Sequence, residues 1–306
     1  MPRALVTGAS GFAGPFLIRH LLGEGYEVVG AVHGPERDLP DGCQPVSLDV
    51  TDKDAVRKAV AKTPPHEVYH LAGLTRPASG EIDTFYRVNF NGALNLLEAV
   101  HEEAPGAGIL LVGSAYAYGR VDRPIAETDP FEPTNHYGVS KAAADLLGRS
   151  YALQGMRVVN ARPFNHSGPD QSPDFLLPTL VEQFAQIKTG RRDPVVELGN
   201  LDAVRDLSDV RDVVRAYRLA LRKGRSGEAY NVGSGRGTSV QQLFELVRRE
   251  AAVEVELTVE PSRVRATDIP YLVAHVDKAR SELGWEAEIP LKKTVRDMLE
   301  VARSAG

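Results

Sequence analysis

A tyrosine and a lysine four positions apart are the side chains of this sequence best suited to move a proton. Tyr137 is the only tyrosine followed by a lysine at that spacing, Lys141, and the spacing places both side chains on one face of a helix. A phenol, with a pKa of about 10, carries protons poorly at neutral pH, and a nearby lysine cation lowers that pKa. Ser114 adds a hydroxyl at the end of the run GILLVGS. This set indicates acid–base chemistry. The alternative is that Tyr137 and Lys141 are helix residues without a catalytic role.

A glycine-rich loop near the start of the sequence offers a place for a phosphate group. In TGASGFAG, Gly8, Gly11 and Gly14 stand between an apolar run and a helical stretch. Glycines let the backbone approach a pyrophosphate, and a helix N-terminus supplies N–H donors and partial positive charge. The loop therefore predicts a dinucleotide site, and the alternative is a tight turn that binds nothing.

The end of the second apolar run bears on which dinucleotide would bind. An acidic residue there commonly binds the ribose 2′-hydroxyl of NAD, but residues 31–34 contain no carboxylate. His33 and Arg37 could instead face a 2′-phosphate, which favours NADP(H), with NAD(H) as the other option. His33 as an ordinary loop residue explains the sequence nearly as well. Asp49 and Val50, after the third run, are predicted to lie against the adenine ring.

The segments that must position these residues alternate between strand-like apolar runs and helix-like patterns of apolar residues. Short apolar runs at 3–7, 26–32, 45–50, 67–73, 108–114 and 156–162 predict strands, and helical patterns at 16–22, 52–61, 82–100 and 137–153 lie between them. This alternation predicts an α/β fold with a Rossmann-type, doubly wound parallel sheet. After Pro163 the pattern becomes mixed and predicts a smaller C-terminal α/β lobe. The expected division is 1–163 with about 203–232 for the dinucleotide domain, and about 164–202 with 233–306 for a substrate lobe.

Composition excludes several other classes of protein. The 306 residues carry 36 basic and 41 acidic side chains, a net charge of -5, so neither nucleic acid nor an anionic membrane is an expected partner. Cys43 is the single cysteine, which excludes an intramolecular disulfide and a cysteine-based zinc site, and no metal is expected. With neither a signal-peptide pattern nor a long apolar stretch, the sequence predicts a cytoplasmic protein.

Several segments together resemble one family from end to end. TGASGFAG, the Tyr137–Lys141 pair, RPFNHSGP (162–169), GNLDAVRD (199–206), RATDIPYL (265–272) and ELGW (282–285) are similar to motifs of the extended short-chain dehydrogenase/reductases, the NAD-dependent epimerase/dehydratase family acting on nucleotide sugars. The resemblance is strongest to the branch with GDP-6-deoxy-4-keto-mannose reductase and GDP-mannose 4,6-dehydratase.

The resemblance implies a role for each matching residue. Ser114, Tyr137 and Lys141 would be the catalytic set, with Lys141 also on the cofactor ribose. The cofactor would further contact four residues spread over the first domain: Phe12, Leu71, Ala72 and Asn89. Asn89 could equally link strand backbones. His136 departs from the family, which often has proline before the catalytic tyrosine.

The second half implies residues for a nucleotide diphosphate. The matching residues are Asn165, Arg205 and Arg265 on the diphosphate, and Asp268 near the ribose. Two guanidinium groups on a pyrophosphate are chemically sound, because each binds phosphate oxygens bidentately. The alternative for Arg205 is a surface ion pair with an aspartate of VRDLSDVRD. The resemblance favours a GDP-linked sugar.

The position two residues after Ser114 separates the activities of this branch. Dehydratases need a carboxylate there to remove the C5 proton, and this sequence has Tyr116. We therefore expect a reductase of a GDP-4-keto-6-deoxy-hexose, giving a product of the GDP-6-deoxy-D-mannose (rhamnose) type, with Tyr137 as proton donor at C4. A UDP- or GDP-hexose 4-epimerase is the alternative. A GDP-mannose 4,6-dehydratase and a catalytically silent nucleotide-binding regulator are weaker ones.

The resemblance also implies a homodimer built as a four-helix interface. The helices would be 82–100 and 137–153, each packed against the same helices of a second copy. Apolar residues at helical spacing are available on them: Leu94, Leu97, Ala143, Leu146 and Leu147. Some of these side chains must instead face the sheet of their own subunit.

Overall fold

Strands and helices alternate along the chain in the order expected. The computed structural model describes residues 1–34, 38–75, 81–260 and 269–304. The strands are β1 (Arg3–Thr7), β2 (Glu27–Val32), β3 (Cys43–Ser47), β4 (Glu67–His70), β5 (Gly108–Val112), β6 (Arg157–Pro163), β7 (Asn165–Ser167), β8 (Val195–Leu198), β9 (Val204–Asp209), β10 (Ala229–Val232), β11 (Gly237–Ser239), β12 (Glu256–Val259) and β13 (Tyr271–Leu272). The helices are α1 (Gly14–Gly23), α2 (Lys53–Lys62), α3 (Asp83–Phe85), α4 (Gly92–Glu103), α5 (His136–Leu153), α6 (Leu176–Lys188), α7 (Val210–Lys223), α8 (Val240–Ala251) and α9 (Leu291–Ser304).

The main sheet has a reversal of strand order at its centre. Within the described residues its order is β3-β2-β1-β4-β5-β6-β10, and all of these pairings are parallel. The order reverses between β1 and β4, and open α/β sheets bind ligands outside the carboxyl ends of their strands at such a point. The predicted Rossmann-type parallel sheet is confirmed.

Helices cover both faces of this sheet because each central strand is apolar on both sides. In β1, Ala4 and Val6 join one core with buried residues of α1 and α7. Leu5 points to the opposite face and joins a core with α2 and α4. Successive strand residues alternate between faces, so one short strand supports both layers.

The smaller lobe has its own core and its own strands. The buried side chains of α6, α8 and α9 pack together there. A second sheet runs β11-β9-β13, with β7 paired to β9, and β8 pairs with β12. Two parts differ from the predicted division. β9 belongs to this second sheet although 203–232 was expected in the first domain, and the fully buried Trp285 packs in the core of the main sheet.

The predicted helix 82–100 is interrupted. It consists of α3, a π-helical segment Tyr86–Asn91, and α4, which extends to Glu103. Hydrophobic periodicity does not distinguish a π turn from an α turn, so the pattern alone predicts one continuous helix. The π segment positions Asn89, whose contacts are described below.

The two helices expected at a dimer interface differ in what they expose. Leu97 is one of the residues that face their own sheet, because its side chain is fully buried there. Leu147 also packs partly on that core. Leu146 keeps 55% of its surface exposed on α5.

No helix in the part of the chain that the structure describes is long and apolar enough to cross a membrane. The cytoplasmic location stays a prediction.

Candidate active site

The glycine loop joins β1 to α1 at the reversal point of the sheet. Gly8 has φ +69°, and a β-carbon on it would lie 2.7 Å from the backbone nitrogen of Ala72. Any other residue would therefore be strained and would collide with the neighbouring strand end. No side chain caps the start of α1, although Gly14 donates its N–H to the Gly11 carbonyl and Pro15 has no N–H. The loop has the tight shape that lets a backbone approach a pyrophosphate.

The opposite wall of this crevice continues from β4. Leu71 donates its backbone N–H to the Thr7 carbonyl over 3.2 Å, and the Ala72 N–H donates to the Thr7 hydroxyl over 3.3 Å. The same hydroxyl pairs with Nδ1 of the buried His70 at 2.7 Å. Leu71 and Ala72 therefore lie at the point of the sheet where we expect contacts with a cofactor. Thr7 and His70 hold these two residues in place, and the sequence patterns did not indicate this role.

The end of β2 carries the residues expected to distinguish the two cofactors. His33 is largely exposed, and its Nδ1 lies 3.9 Å from a carboxylate oxygen of Asp49. Asp49 also accepts from the backbone N–H and the hydroxyl of Thr51, each over 2.8 Å. Burial acts to raise the pKa of Asp49, but these bonds and the nearby His33 outweigh it and lower the pKa. Val50 is buried beneath them. Arg37 lies outside the described residues.

The three residues of the expected catalytic set lie on neighbouring elements. Ser114 follows β5 and opens a short 3₁₀ turn, where its Oγ accepts the backbone N–H of Tyr116 over 3.2 Å. Tyr137 lies in the first turn of α5, and its hydroxyl is hydrogen-bonded to the side chain of Ser114. Lys141 lies one turn later and donates to the carbonyl oxygen of Val112 over 2.8 Å. The structure thus brings the set together.

Burial shifts the proton affinities of this set. Burial raises the pKa of Tyr137 to about 12, and its hydrogen bond with Ser114 opposes the rise. Burial also lowers the pKa of Lys141 to about 8. In the chain by itself, removal from water outweighs any favourable charge, and the lowering expected from the lysine cation together with a bound nicotinamide stays a prediction. At neutral pH Tyr137 holds its proton, as a proton donor must.

Asn89 joins the segment that follows β4 to α5. Its Oδ1 accepts the Leu74 backbone N–H over 2.7 Å, while its Nδ2 donates to the Leu74 carbonyl and to Oγ of Ser140. Ser140 in turn donates to the Tyr137 carbonyl over 2.8 Å. These bonds make Asn89 and Ser140 positioning residues for α5. Ser140 gave no signal in the sequence beyond its place in the Tyr137–Lys141 turn.

A cleft of about 320 Å³ is lined mainly by residues after Pro163 and reaches toward this set at Tyr116, whose ring contacts that of Tyr137. Tyr116, Asn165, His166 and Arg205 line it together with apolar residues of α6. Oδ1 of Asn165 is buried without a hydrogen-bond partner, which is costly unless a ligand supplies a donor. His166 was not singled out in the sequence, although it directly follows Asn165.

The guanidinium group of Arg205 is available to a ligand. It donates to the carbonyl of Val204, and it forms no ion pair with any residue that the structure describes. The neighbouring acids are engaged elsewhere. Asp206 accepts from Ser234, Gly235 and Ala274, and Asp209 pairs with Arg211. The surface-pair alternative for Arg205 is therefore wrong, whereas Arg265 and Asp268 lie outside the described residues.

The described residues hold no cluster of side chains that could bind a metal ion. They contain no group of three or more histidine, cysteine or carboxylate side chains able to hold an ion.

Comparisons with known proteins agree on one family. The sequence model of the family described as GDP-mannose 4,6-dehydratase matches residues 5–298. The chain is 34% identical to the GDP-6-deoxy-D-mannose reductase of Pseudomonas aeruginosa, over 97% of this chain and 96% of that protein. It is 33% identical to the GDP-6-deoxy-D-talose 4-dehydrogenase of Aggregatibacter actinomycetemcomitans, over 92% and 91%.

Solved structures give the same result. The protein RMD from Pseudomonas aeruginosa complexed with NADPH superposes with a TM-score of 0.87 at 30% identity and covers 100% of both chains. The UDP-glucose 4-epimerase of Thermus thermophilus with NAD has a TM-score of 0.87 at 28% identity, over 99% of this chain and 100% of the other. The predicted resemblance to nucleotide-sugar enzymes of the extended short-chain dehydrogenase/reductase type is confirmed. The chain belongs to the GDP-mannose 4,6-dehydratase family.

Proposed function

We propose that the protein is an NADPH-dependent reductase that converts a GDP-linked 4-keto-6-deoxy-hexose into a GDP-6-deoxy-hexose of the GDP-6-deoxy-D-mannose type. The observation that carries the proposal is the neighbourhood of Tyr137. This phenol keeps its proton at neutral pH, and the side chain packed against it from the cleft is the phenol of Tyr116 rather than a carboxylate. Reduction needs a proton donor, whereas elimination of water needs a base.

Each catalytic residue then has one task at the C4 carbonyl. Tyr137 gives its proton to the carbonyl oxygen as that oxygen gains negative charge. Ser114 donates a hydrogen bond to the same oxygen. Lys141 keeps positive charge near the phenol, which favours the phenolate that is left. NADPH, when bound along the glycine loop, supplies the hydride.

The substrate's diphosphate would lie toward Arg205 and Asn165. Arg205 offers a planar guanidinium without an ionic partner among the described residues, and guanidinium binds phosphate oxygens bidentately. The unpartnered Oδ1 of Asn165 would accept a donor from the ligand, such as a sugar or ribose hydroxyl. Arg265 and Asp268 remain proposed contacts from the sequence alone. The GDP moiety is proposed because two similar relatives act on GDP-sugars by name.

NADP(H) is the proposed cofactor, with NAD(H) as the second choice. An exposed histidine at the end of β2, without an acid between residues 31 and 34, suits a 2′-phosphate. Asp49 beside His33 is the feature that would still allow the 2′-hydroxyl of NAD. The ratio of kcat/KM for NADPH and NADH tests this point, and we expect NADPH to be used at least as well.

A nucleotide-sugar 4-epimerase is the second candidate, because Asp49 lies at the cofactor end of the sheet and one structural neighbour is an epimerase with NAD. An epimerase uses the same three residues but ends each cycle with its cofactor unchanged. Net oxidation of NADPH, in proportion to the sugar converted, would exclude it.

We further propose a homodimer that forms through α4 and α5. On α5, Val139, Leu146 and Leu153 are 38%, 55% and 84% exposed, and their spacing of seven places them on one face. A second copy of the same helix pair would cover this face. Light scattering at micromolar concentration should give the mass of a dimer, and a monomer mass would contradict the proposal.

The activity is tested by incubating the protein with GDP-4-keto-6-deoxy-D-mannose and NADPH. We expect the nicotinamide absorbance of NADPH to fall and the sugar to gain two hydrogens. Absence of NADPH oxidation, with the protein folded and the substrate verified, would overturn the proposal.

A further inference from the structure

We propose that Tyr116 selects the substituent at C6 of the sugar, favouring a methyl group over a hydroxymethyl group. This inference rests on the proposed function, because it assumes a hexose whose C4 lies at Tyr137. From the sequence alone, Tyr116 showed only that the carboxylate base of a dehydratase is missing at this position. The inference gives Tyr116 a role in substrate specificity.

The position of Tyr116 places its ring between the reacting centre and the cleft. Its ring meets that of Tyr137 edge to face, with centroids 6.0 Å apart and an interplanar angle of 63°. Tyr116 also lines the cleft with Asn165 and Arg205. In the proposed pose, a sugar bound there with C4 at the Tyr137 hydroxyl presents one of the carbons next to C4 to the Tyr116 ring.

The backbone around Tyr116 is held from both sides. Its N–H donates to Oγ of Ser114 over 3.2 Å. Its carbonyl lies against Gly138, where a β-carbon would collide with that oxygen. The first contact ties the Tyr116 backbone to Ser114, and the second ties it to the residue that follows Tyr137, so the backbone from which the ring extends is held beside both proposed catalytic residues.

The chemistry of the two carbons next to C4 decides which one the ring suits. C3 carries a hydroxyl, whereas C5 carries C6, which is a methyl group in a 6-deoxy sugar. An aromatic face gives a methyl group an apolar contact, but it offers no hydrogen bond to a C6 hydroxyl that has left water. An apolar pocket rejects a molecule with one added hydroxyl by about 100-fold at most.

The test compares two nucleotide sugars that differ only by the C6 hydroxyl. GDP-6-deoxy-D-mannose and GDP-D-mannose are oxidised with NADP⁺, so that hydride leaves C4 for the cofactor and the C4 hydroxyl proton passes through Tyr137 to water. For the unmodified protein we expect kcat/KM to favour the 6-deoxy sugar by about 10- to 100-fold. Tyr116→Ala should reduce this ratio to below about threefold, whereas Tyr116→Phe, which keeps the ring, should preserve it.

Two further variants keep the result interpretable. Tyr116→Gln fills the site and supplies a partner for the C6 hydroxyl, so it should lower the ratio even if Tyr116→Ala does not fold. Tyr151→Ala removes a tyrosine of α5 that packs on His101, and it should leave the ratio unchanged.

The outcomes separate this inference from the proposed function. A ratio that stays the same in Tyr116→Ala and Tyr116→Gln, or no preference in the unmodified protein, would overturn the role of Tyr116 while leaving a reductase. If the unmodified protein oxidises neither sugar and reduces no 4-keto sugar, the proposed function fails and the inference falls with it.

Discussion

The imidazole of His166 stacks on the ring of Phe12, with centroids 5.9 Å apart and planes 14° from parallel. Phe12 belongs to the glycine loop expected to bind the cofactor, whereas His166 lines the cleft expected to bind the sugar. Burial lowers the pKa of His166, so the stacked ring is neutral at neutral pH. The two binding regions therefore share one aromatic contact.

A substitution at Phe12 should change the binding of both the nucleotide sugar and the cofactor. Aromatic pairs contribute about 0.5–1.5 kcal/mol, so we expect Phe12→Ala to raise KM for the nucleotide sugar by about 2- to 10-fold, in addition to any change for NADPH. Phe12→Tyr, which keeps the stack, is the matched control. Steady-state kinetics with each substrate varied in turn would measure both constants. A change confined to NADPH would show that the contact transmits nothing to the cleft.

Tyr137→Phe should abolish proton donation while leaving the cofactor crevice intact. General acid–base groups contribute about 10²–10⁴-fold, and we expect kcat to fall by that factor with the Kd for NADPH within about twofold. Binding is measured by titration calorimetry and turnover by NADPH oxidation. Tyr151→Phe, near the other end of α5, is the control. Near-normal turnover in Tyr137→Phe would remove Tyr137 from the mechanism.

Lys141→Met should make the protein without ligands more stable and inactive. The pKa of Lys141 in the folded state, about 8, lies below its unfolded value of 10.5. The cost of burying its charge is therefore fully present below pH 8 and is lost as pH rises toward 10.5. One pKa unit corresponds to 1.36 kcal/mol, so removing the charge should add up to about 3 kcal/mol to the free energy of unfolding at pH 7. The loss of the hydrogen bond to the Val112 carbonyl reduces this gain.

Denaturant unfolding at several pH values measures this effect. The gain in unfolding free energy of Lys141→Met should shrink between pH 8 and 10.5. Lys58→Met, at an exposed position on α2, should show no such trend. A variant that is less stable than the unmodified protein at pH 7 would mean that the buried cation is fully compensated.

Arg205→Met should weaken substrate binding rather than chemistry. Its guanidinium has no ionic partner among the described residues, so its removal leaves no unpaired acid behind there. A hydrogen bond to a charged group contributes about 1.5–3 kcal/mol, and we expect KM for the GDP-sugar to rise about 10- to 100-fold with kcat nearly kept. Arg222→Met, on the exposed side of α7, is the control. An unchanged KM would place the diphosphate elsewhere.

The sequence predicted the parts of the site that local pattern determines. The glycine loop, the Tyr137–Lys141 turn and the residues of β1 to β6 depend on short-range periodicity and on turn residues. The π segment around Asn89, the pairing of β9 outside the main sheet and the raised pKa of Tyr137 depend on tertiary contacts. His166 and Ser140 contribute through contacts with residues distant in sequence, Phe12 and Asn89. The spacing of residues in the sequence does not show such contacts.

The central claim is that hydride is delivered to C4 of a 4-keto sugar without loss of water from it. The most direct measurement supplies GDP-4-keto-6-deoxy-D-mannose and NADPH that carries deuterium on the transferred position, and locates the label by NMR and mass spectrometry. We predict one deuterium at C4 of a GDP-6-deoxy-hexose, with one NADPH consumed per product. Unlabelled product, or conversion of GDP-mannose itself into a sugar lighter by one water, would contradict the account.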